Sequence, residues 1–350
     1  MAAAQLGLAC VAMICVASVQ EGWALFVTAF QQRLGGGPGA LVQVSTAFSA
    51  FVCCQTAAVP LSGHVADRHS PQTTLIPAAL LFGGGWYMAA RAESLAALSL
   101  SFGVAAVGVG AVYATTTAHA IRWFPHRRGL AAGLTSSGYG AGAALFLASI
   151  QHDVGVHGAG VTIERWSMRL GSAVLLAALL MRPPPAGHQQ GLKKAAPEQS
   201  SAAGLSPGEM VRTELFGWCF LVMMLIACTG LVVTAQLRPI AESYGLLERS
   251  AWRIGRPAGG ESSVLLVALQ VDMIFLGLLR PLWGAVSDRN GRPQTLFASF
   301  ALQTILATLL WLALTRLPPE LGAPVLAWAT GPTFAGCKCS RSLCVFFGRS

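Results

Sequence analysis

Residues 63–73 read GHVADRHSPQT, and residues 284–295 read GAVSDRNGRPQT. Both stretches carry Gly, Val, Asp and Arg at the same spacing, and both continue to Pro-Gln-Thr with a length difference of one residue. Each stretch follows the second long apolar segment of its half of the chain. A match at corresponding places in two halves indicates an internal repeat, and therefore a chain built from two related parts.

Long apolar segments surround these two loops. A helix needs roughly 20 mostly apolar residues to cross a bilayer, and these segments are apolar on all faces, as is typical of helices in lipid. The predicted spans are Leu6–Phe30, Leu41–Val65, Thr73–Ala90, Leu95–Ile121, Gly129–Ile150, Trp166–Met181, Leu215–Ala235, Ser262–Ala285, Thr295–Thr315 and, more weakly, Leu321–Phe334. The sequence therefore predicts an all-α, polytopic integral membrane protein surrounded by a lipid bilayer.

The composition excludes several other classes of protein. Hydrophobic residues make up 54% of the chain and charged residues 11%, whereas a soluble domain carries about 25% charged residues. A soluble fold of this length could not cover so much apolar surface, and a transmembrane barrel would need alternating segments of about 10 residues. No nucleophile–base pair or metal-ligand cluster stands out, so we predict no enzyme activity, catalytic residue, metal or cofactor.

A polar stretch near the middle divides the chain. Three prolines follow Arg182 and cannot continue a helix, and the polar residues as far as Arg212 have the composition of a linker. We predict an N-terminal six-helix bundle at residues 1–182 and a cytoplasmic linker at 183–213. A partial C-terminal bundle of three to four helices follows at 214–336, and an irregular tail at 337–350, so the second half is expected to be incomplete.

The repeated loops resemble the signature of the major facilitator superfamily, Gly-x-x-x-Asp-Arg-x-Gly-Arg. The second copy matches well, and the first copy lacks the final Gly-Arg. The resemblance implies two helical bundles and a latch, in which the loop carboxylate accepts hydrogen bonds from a helix N-terminus or an arginine. The latch residues are Gly63, Asp67, Arg68, Gly284, Asp288, Arg289, Gly291 and Arg292. The alternative is that each loop is only a solvated turn between helices.

A second stretch narrows the resemblance. Residues 122–133 read RWFPHRRGLAAG and lead into GYGAG at 138–142, which is similar to the oxalate/formate antiporter and monocarboxylate transporter branch. This branch implies secondary transport of small organic anions, monocarboxylates or oxalate-like dicarboxylates, by alternating access. The glycine spacing favours a close helix crossing. A dinucleotide loop is excluded because no strand precedes the glycines.

The distribution of cations sets the predicted topology. In this superfamily the loops after spans two, four, six and eight are cytoplasmic. In the first half and the linker, those loops hold Arg68, Arg122, Arg127, Arg128, Arg182, Lys193, Lys194 and Arg212, against Arg33, Arg91, Arg165 and Arg169 on the opposite side. Eight against four agrees with the positive-inside bias. The second half does not follow it, because Arg249, Arg253 and Arg256 fall in a predicted outer loop, against Arg289 and Arg292 inside. The net charge of +9 therefore reflects mainly cytoplasmic loops, and we predict no nucleic-acid partner.

Arg280 is the predicted substrate-binding cation. It lies eight residues before Asp288, which places it about 12 Å inward from the cytoplasmic boundary and close to the midplane of the bilayer. A charge at that depth is costly and indicates a functional site, and a guanidinium can hold a carboxylate by two parallel hydrogen bonds. The resemblance implies the same role, because the Arg-Pro arginine of the eighth helix binds substrate carboxylate in that branch. A snorkelling arginine or a structural ion pair remains the alternative.

Other polar residues lie within the spans. Glu21 and Asp272 are candidates for proton coupling, because burial raises the pKa of a carboxyl group, although Glu21 could equally pair with a buried arginine. The resemblance implies that Gln20, Tyr113 and Tyr139 contact substrate, with helix packing as the alternative for the two tyrosines.

Two further functions remain open from the sequence. The chain could carry another solute, such as a sugar or a drug. It could also be a truncated fragment that is inactive in transport, or a chain that pairs with a protein partner to complete the bundle. Uptake measurements with carboxylates and with neutral solutes separate these functions.

Overall fold

The computed structural model describes residues 1–35, 40–185, 207–218, 220–221, 224–225 and 264–316. The chain divides into two compact units, Met1–Leu192 and Lys193–Ser350. Each described part of a unit consists of helices joined by short connections. The predicted linker beyond residue 185, the weak span Leu321–Phe334 and the tail at 337–350 lie outside the described residues, as does most of Leu215–Ala235.

Seven helices form the described part of the first unit. They are α1 (Ala2–Glu21), α2 (Trp23–Arg33), α3 (Ala40–Arg68), α4 (Pro71–Ala90), α5 (Leu95–Trp123), α6 (Arg128–His157) and α7 (Ala159–Leu180). By length and composition, four helices of the described chain can cross a membrane, namely those at Ala2–Glu21, Val42–Arg68, Leu95–Trp123 and Arg128–His157. A segment in lipid must satisfy its backbone hydrogen bonds internally and expose mainly apolar side chains. These helices meet both requirements.

The first predicted span, residues 6–30, is two helices rather than one. α1 ends at Glu21 and α2 begins at Trp23, with Gly22 between them. The amide of Leu25 donates to the carbonyl of Gly22 at 3.0 Å, which is the three-residue hydrogen bond of a tighter turn. Such a short turn inside a long helix commonly marks a hinge.

Glycines let the helices of this unit approach through their backbones. A Cβ added to Gly142 in α6 would collide with the backbone of Ile14 in α1, and a Cβ on Gly138 would lie 2.9 Å from the carbonyl oxygen of Cys10. Gly85 and Gly108 play the same part between α4 and α5. Because lipid tails are as apolar as leucine, this close packing and the hydrogen bonds between helices hold the unit together.

An aromatic cluster fills the core beyond Gly22. The indole of Trp23 stacks on Phe48 with ring centroids 5.3 Å apart and meets Phe102 edge-on at 4.7 Å. Phe30 and Phe51 extend the cluster, and both are buried. α2 is therefore held by aromatic contacts with α3 and α5, whereas α1 is held by glycine contacts with α6.

The two ends of the unit are closed by short connections and polar contacts. Gly158 alone joins α6 to α7 with a φ of +78°, a backbone conformation that glycine adopts without strain. At the other end, Gln5 of α1 accepts a hydrogen bond from the amide of Arg182 at 2.9 Å, and its Oε1 lies 3.1 Å from Nε2 of His119. The indole N–H of Trp123 donates to the carbonyl of Arg182 at 3.2 Å. These bonds tie α1, α5 and the end of α7 together.

The second unit is described over a short helix and two long ones. They are α8 (Pro207–Val211), α9 (Val264–Asn290) and α10 (Arg292–Arg316). The two long helices correspond to the predicted spans Ser262–Ala285 and Thr295–Thr315. Gly291 joins them with a φ of +88°, so the glycine of the second signature loop occupies a conformation that other residues rarely adopt.

We expect Gly142→Ala to lower stability and Gly155→Ala to leave it unchanged or slightly raised. Both glycines lie in α6, but a Cβ at Gly142 meets the Ile14 backbone, whereas nothing lies within 4 Å of a Cβ at Gly155. Overpacking costs about 1–3 kcal/mol, and alanine in an open helical position gains roughly 0.5–1 kcal/mol. Thermal unfolding of the purified protein in detergent measures both. Equal midpoints for the two variants would contradict the close helix crossing.

Candidate functional site

A chain of hydrogen bonds crosses the first unit at mid-depth. The hydroxyl of Tyr139 in α6 donates to Oε1 of Gln20 at 2.6 Å, and Nε2 of Gln55 in α3 donates to the hydroxyl of Tyr139 at 3.3 Å. Tyr139 is buried, and both glutamines are partly buried. Three helices thus meet at one phenol in the middle of an apolar unit.

This series of hydrogen bonds fixes the orientation of the Gln20 side-chain amide. The carbonyl oxygen accepts the only proton of the Tyr139 hydroxyl, so the two N–H groups of Gln20 are left to donate elsewhere. Among the described residues, the amide nitrogen of Gln20 has no hydrogen-bond partner. The arrangement therefore offers donors, which suit a ligand that carries only acceptors, such as a carboxylate.

Tyr113 completes the cluster in the first unit. Its ring meets that of Tyr139 edge-on, with centroids 5.9 Å apart and planes at 84°. The structure thus brings together the three residues of this unit that the sequence nominated for substrate contact, Gln20, Tyr113 and Tyr139. Sequence reasoning missed Gln55, although an amide within an apolar span is a signal that could have found it.

Glu21 lies directly beside the interruption of the first span. It is the last residue of α1, it is partly buried, and it precedes Gly22. A Cβ on Gly22 would collide with the carbonyl oxygen of Ser18, so glycine is required by the tightness of this turn. The carboxylate therefore lies at a bend, one residue from the amide that Tyr139 orients.

Arg280 lies inside the second unit. It is 8% exposed and belongs to α9, which continues without interruption from Val264 to Asn290. Pro281 follows it and cannot donate a hydrogen bond to the carbonyl of Gly277, so that oxygen lacks its usual helical partner. Asp272 lies in the same helix, eight residues before Arg280.

The first signature loop forms a specific ion pair. Arg122, at the end of α5, donates through Nη2 to Oδ1 of Asp67 at 3.0 Å and to the carbonyl of Ala66 at 2.9 Å. Arg68 is exposed, and a Cβ on Gly63 would meet nothing within 4 Å. Asp67 therefore bonds to an arginine of its own unit. Gly63 makes no close contact with another helix of that unit.

The second signature loop has a different turn. Asp288 and Arg289 are exposed in the last turn of α9, and Arg292 begins α10 after Gly291. In the first loop, Ser70 caps α4 in an extended conformation and Pro71 begins it. Proline disfavours the helical conformation in the preceding residue, so the first loop turns without a left-handed glycine and can lack the final Gly-Arg.

An assembly of apolar helices with a polar chain at mid-depth and a buried arginine has the features of a helical membrane transporter. A sequence model of the Major Facilitator Superfamily matches residues 8–340. The chain belongs to this superfamily, and it is therefore a multi-pass integral membrane protein and a transporter rather than an enzyme.

Several known proteins are similar to this chain. The oxalate:formate antiporter of Oxalobacter formigenes is 30% identical over 302 residues, which cover 86% of this chain and 67% of the antiporter. An uncharacterized MFS-type transporter of Escherichia coli, YhjX, is 26% identical over 73% of this chain and 61% of its own length. This chain thus spans about two thirds of the length of these relatives.

A solved structure shares the fold. The proton:xylose symporter XylE, bound to 6-bromo-6-deoxy-D-glucose, superposes with a TM-score of 0.70 over 99% of this chain and 82% of its own, at 13% sequence identity. At that identity the likeness concerns the fold. It confirms the all-α transporter architecture expected from the repeated loops.

We expect Arg122→Gln to loosen the first signature loop and Arg127→Gln to leave it unchanged. Arg122 bonds to both Asp67 and Ala66, whereas the exposed side chain of Arg127 makes no hydrogen bond or ion pair within the described residues. Hydrogen–deuterium exchange at residues 63–70 should rise in the first variant alone. Because the pair is partly exposed, overall stability should fall by less than about 1 kcal/mol. Identical exchange in both variants would contradict the pairing.

Proposed function

We propose that this chain is a secondary transporter of small organic anions, with Arg280 holding the substrate carboxylate. The observation that carries the proposal is a buried guanidinium within an apolar helix, about 12 Å from Asp288 at the helix end by helical rise. A cation at that depth is costly unless it serves a ligand or an acidic partner. The similarity to an oxalate:formate antiporter supports a carboxylate, either a monocarboxylate or an oxalate-like dicarboxylate.

The polar cluster of the first unit supports the same class of substrate. We assign Gln20, Tyr113 and Tyr139 to substrate contact, because the Tyr139 hydroxyl turns the Gln20 amide so that its N–H groups remain as donors. A carboxylate has acceptors only and matches such donors. The tyrosine rings contribute an apolar wall with a polar edge, which suits a small anion with few carbon atoms.

We assign a proton-coupling role to Glu21 and Asp272 as the remaining acidic candidates of the spans. A carboxylate beside the Gln20 donors would repel an anionic substrate unless it is protonated. Glu21 lies one residue from those donors, so protonation of Glu21 would favour occupancy. Uptake of a labelled carboxylate driven by an imposed pH gradient tests this role, which fails if Glu21→Gln retains the full gradient dependence.

The signature loops act in this proposal as the conformational latch. Asp67, Arg68, Asp288 and Arg289 are exposed at helix ends, and Gly63, Gly284, Gly291 and Arg292 complete the two motifs. Contacts of the exposed charges would form in one conformation of the transport cycle and break in another. The Asp67–Arg122 pair orients the first carboxylate for that purpose.

We expect Arg280→Gln to lower uptake of labelled oxalate or formate into proteoliposomes by roughly 10- to 100-fold. The loss of one charge-assisted hydrogen bond, which contributes about 1.5–3 kcal/mol, accounts for a decrease of this size. Arg280→Lys should recover only part of the loss, because an ammonium cannot form the bidentate contact.

Arg165→Gln is the matched control, since Arg165 is exposed in the first unit and should not affect uptake. Uptake of carboxylates that survives Arg280→Gln would overturn the proposal. If the chain takes up a neutral sugar and Arg280→Gln does not alter that uptake, its substrates belong to another class.

We expect Tyr139→Phe to raise the KM for the carboxylate by roughly 2- to 10-fold, with little change in the maximal rate. The change removes the hydroxyl that orients Gln20, and one such hydrogen bond contributes about 0.5–1.5 kcal/mol. Tyr87→Phe serves as the control, because Tyr87 contacts Arg91 away from the cluster. An unchanged KM in Tyr139→Phe, or an equal rise in KM in both variants, would show that the Gln20, Tyr113 and Tyr139 cluster does not contact the substrate.

A further inference from the structure

The two ends of the first unit differ in how many carboxylates lie near their arginines. At the end that carries the turn of α6 into α7, Arg91 donates to Glu164 at 2.7 Å, and Arg169 lies 3.9 Å from Asp153. The hydrogen bond that Arg91 donates to Glu164 and the negative charge of that carboxylate raise the pKa of Arg91. Carboxylates therefore neutralise much of the positive charge at this end.

The opposite end has far fewer carboxylates. We call it the basic rim and define it by five residues: Arg68, Arg122, Arg127, Arg128 and Arg182. Its one neighbouring carboxylate in residues 1–185 is Asp67, which bonds to Arg122. In the part of the chain that the structure describes, no carboxylate pairs with the other four arginines, and all four are exposed.

Hydrogen bonds between loops gather these arginines at one place. Arg122 bonds to Ala66, next to the loop that contains Arg68. Trp123 donates to the carbonyl of Arg182, which brings the end of α7 to the end of α5. Arg127 and Arg128 follow Trp123 within five residues. The basic rim is therefore one continuous patch of positive charge rather than a set of separate arginines.

Exposed aliphatic side chains lie directly beneath the patch. Leu61 and Val65 precede Arg68 at spacings of seven and three residues on one face of α3, and they are 69% and 42% exposed. Leu179 and Leu180, which are 53% and 51% exposed, end α7 three and two residues before Arg182.

We propose that the basic rim binds the headgroups of anionic phospholipids. The arginines match a phosphate, which a guanidinium holds by two parallel hydrogen bonds, and the leucines and Val65 match the acyl chains below it. A free phosphate would use the cations and leave the adjoining aliphatic surface without a role. A phospholipid uses both, which is why the patch fits a membrane lipid rather than a soluble anion.

Lipid selectivity in vesicles tests this surface without any transport substrate. The protein is reconstituted into phosphatidylcholine vesicles that contain a trace of spin-labelled phosphatidylglycerol or spin-labelled phosphatidylcholine. Electron spin resonance then gives the relative association of the two probes with the protein. An arginine near an anionic surface is worth roughly fivefold in association, so the wild-type chain should prefer phosphatidylglycerol several-fold.

The preference should fall close to 1 in the triple variant R68Q/R127Q/R128Q. The single variants Arg127→Gln and Arg165→Gln form a matched pair at opposite ends, since both arginines are exposed and neither pairs with a described carboxylate. Arg127→Gln should lower the preference and Arg165→Gln should not. If the triple variant fails to fold, the comparison of Arg127→Gln with Arg165→Gln still tests the proposal.

Three outcomes would overturn the proposal. The first is a wild-type chain that shows no preference for phosphatidylglycerol. The second is a preference that survives in the triple variant, or that falls equally in Arg165→Gln. The third is displacement of the lipid probe by millimolar inorganic phosphate but not by chloride at equal ionic strength, which would assign the patch to a soluble anion.

Discussion

A charge or an unpaired polar group inside hydrocarbon is costly, and this constraint arranges the first unit. Its arginines lie towards the helix ends, where they bond to carboxylates or backbone carbonyls or are exposed. The ionisable residues assigned a role within the spans are Glu21 in this unit and Asp272 and Arg280 in the second. Because a charge at that depth is costly, these residues rather than the apolar spans are the candidates for handling a ligand.

The same constraint explains how the helices are held together. Lipid provides no hydrophobic gain for helix association, so the contacts depend on backbone approach at Gly138 and Gly142 and on hydrogen bonds between helices. The Gln20–Tyr139–Gln55 chain is one such set of bonds, and it joins α1, α6 and α3 at mid-depth. The polar residues nominated for substrate contact therefore also take part in packing.

The sequence located the helices of the first unit because each is a long apolar run with polar ends, and four of these described helices can cross a membrane by length and composition. It missed the interruption at Gly22, since a single glycine in an apolar run leaves the pattern unchanged. The collision that makes Gly22 necessary involves the carbonyl of Ser18, which is a property of the folded turn. Gln55 was missed for a similar reason, because its importance comes from its bond to Tyr139, 84 residues away.

Composition, apolar runs and the repeated Asp-Arg loops were enough to determine an all-α membrane protein of two related parts, because these properties follow from the cost of transferring side chains into lipid. The partners of particular residues depended on tertiary structure. Asp67 could have met a helix N-terminus or an arginine, and the fold brings Arg122 to it from 55 residues away. Such pairings depend on how helices cross, and the glycine contacts that set the crossings combine residues from distant parts of the chain.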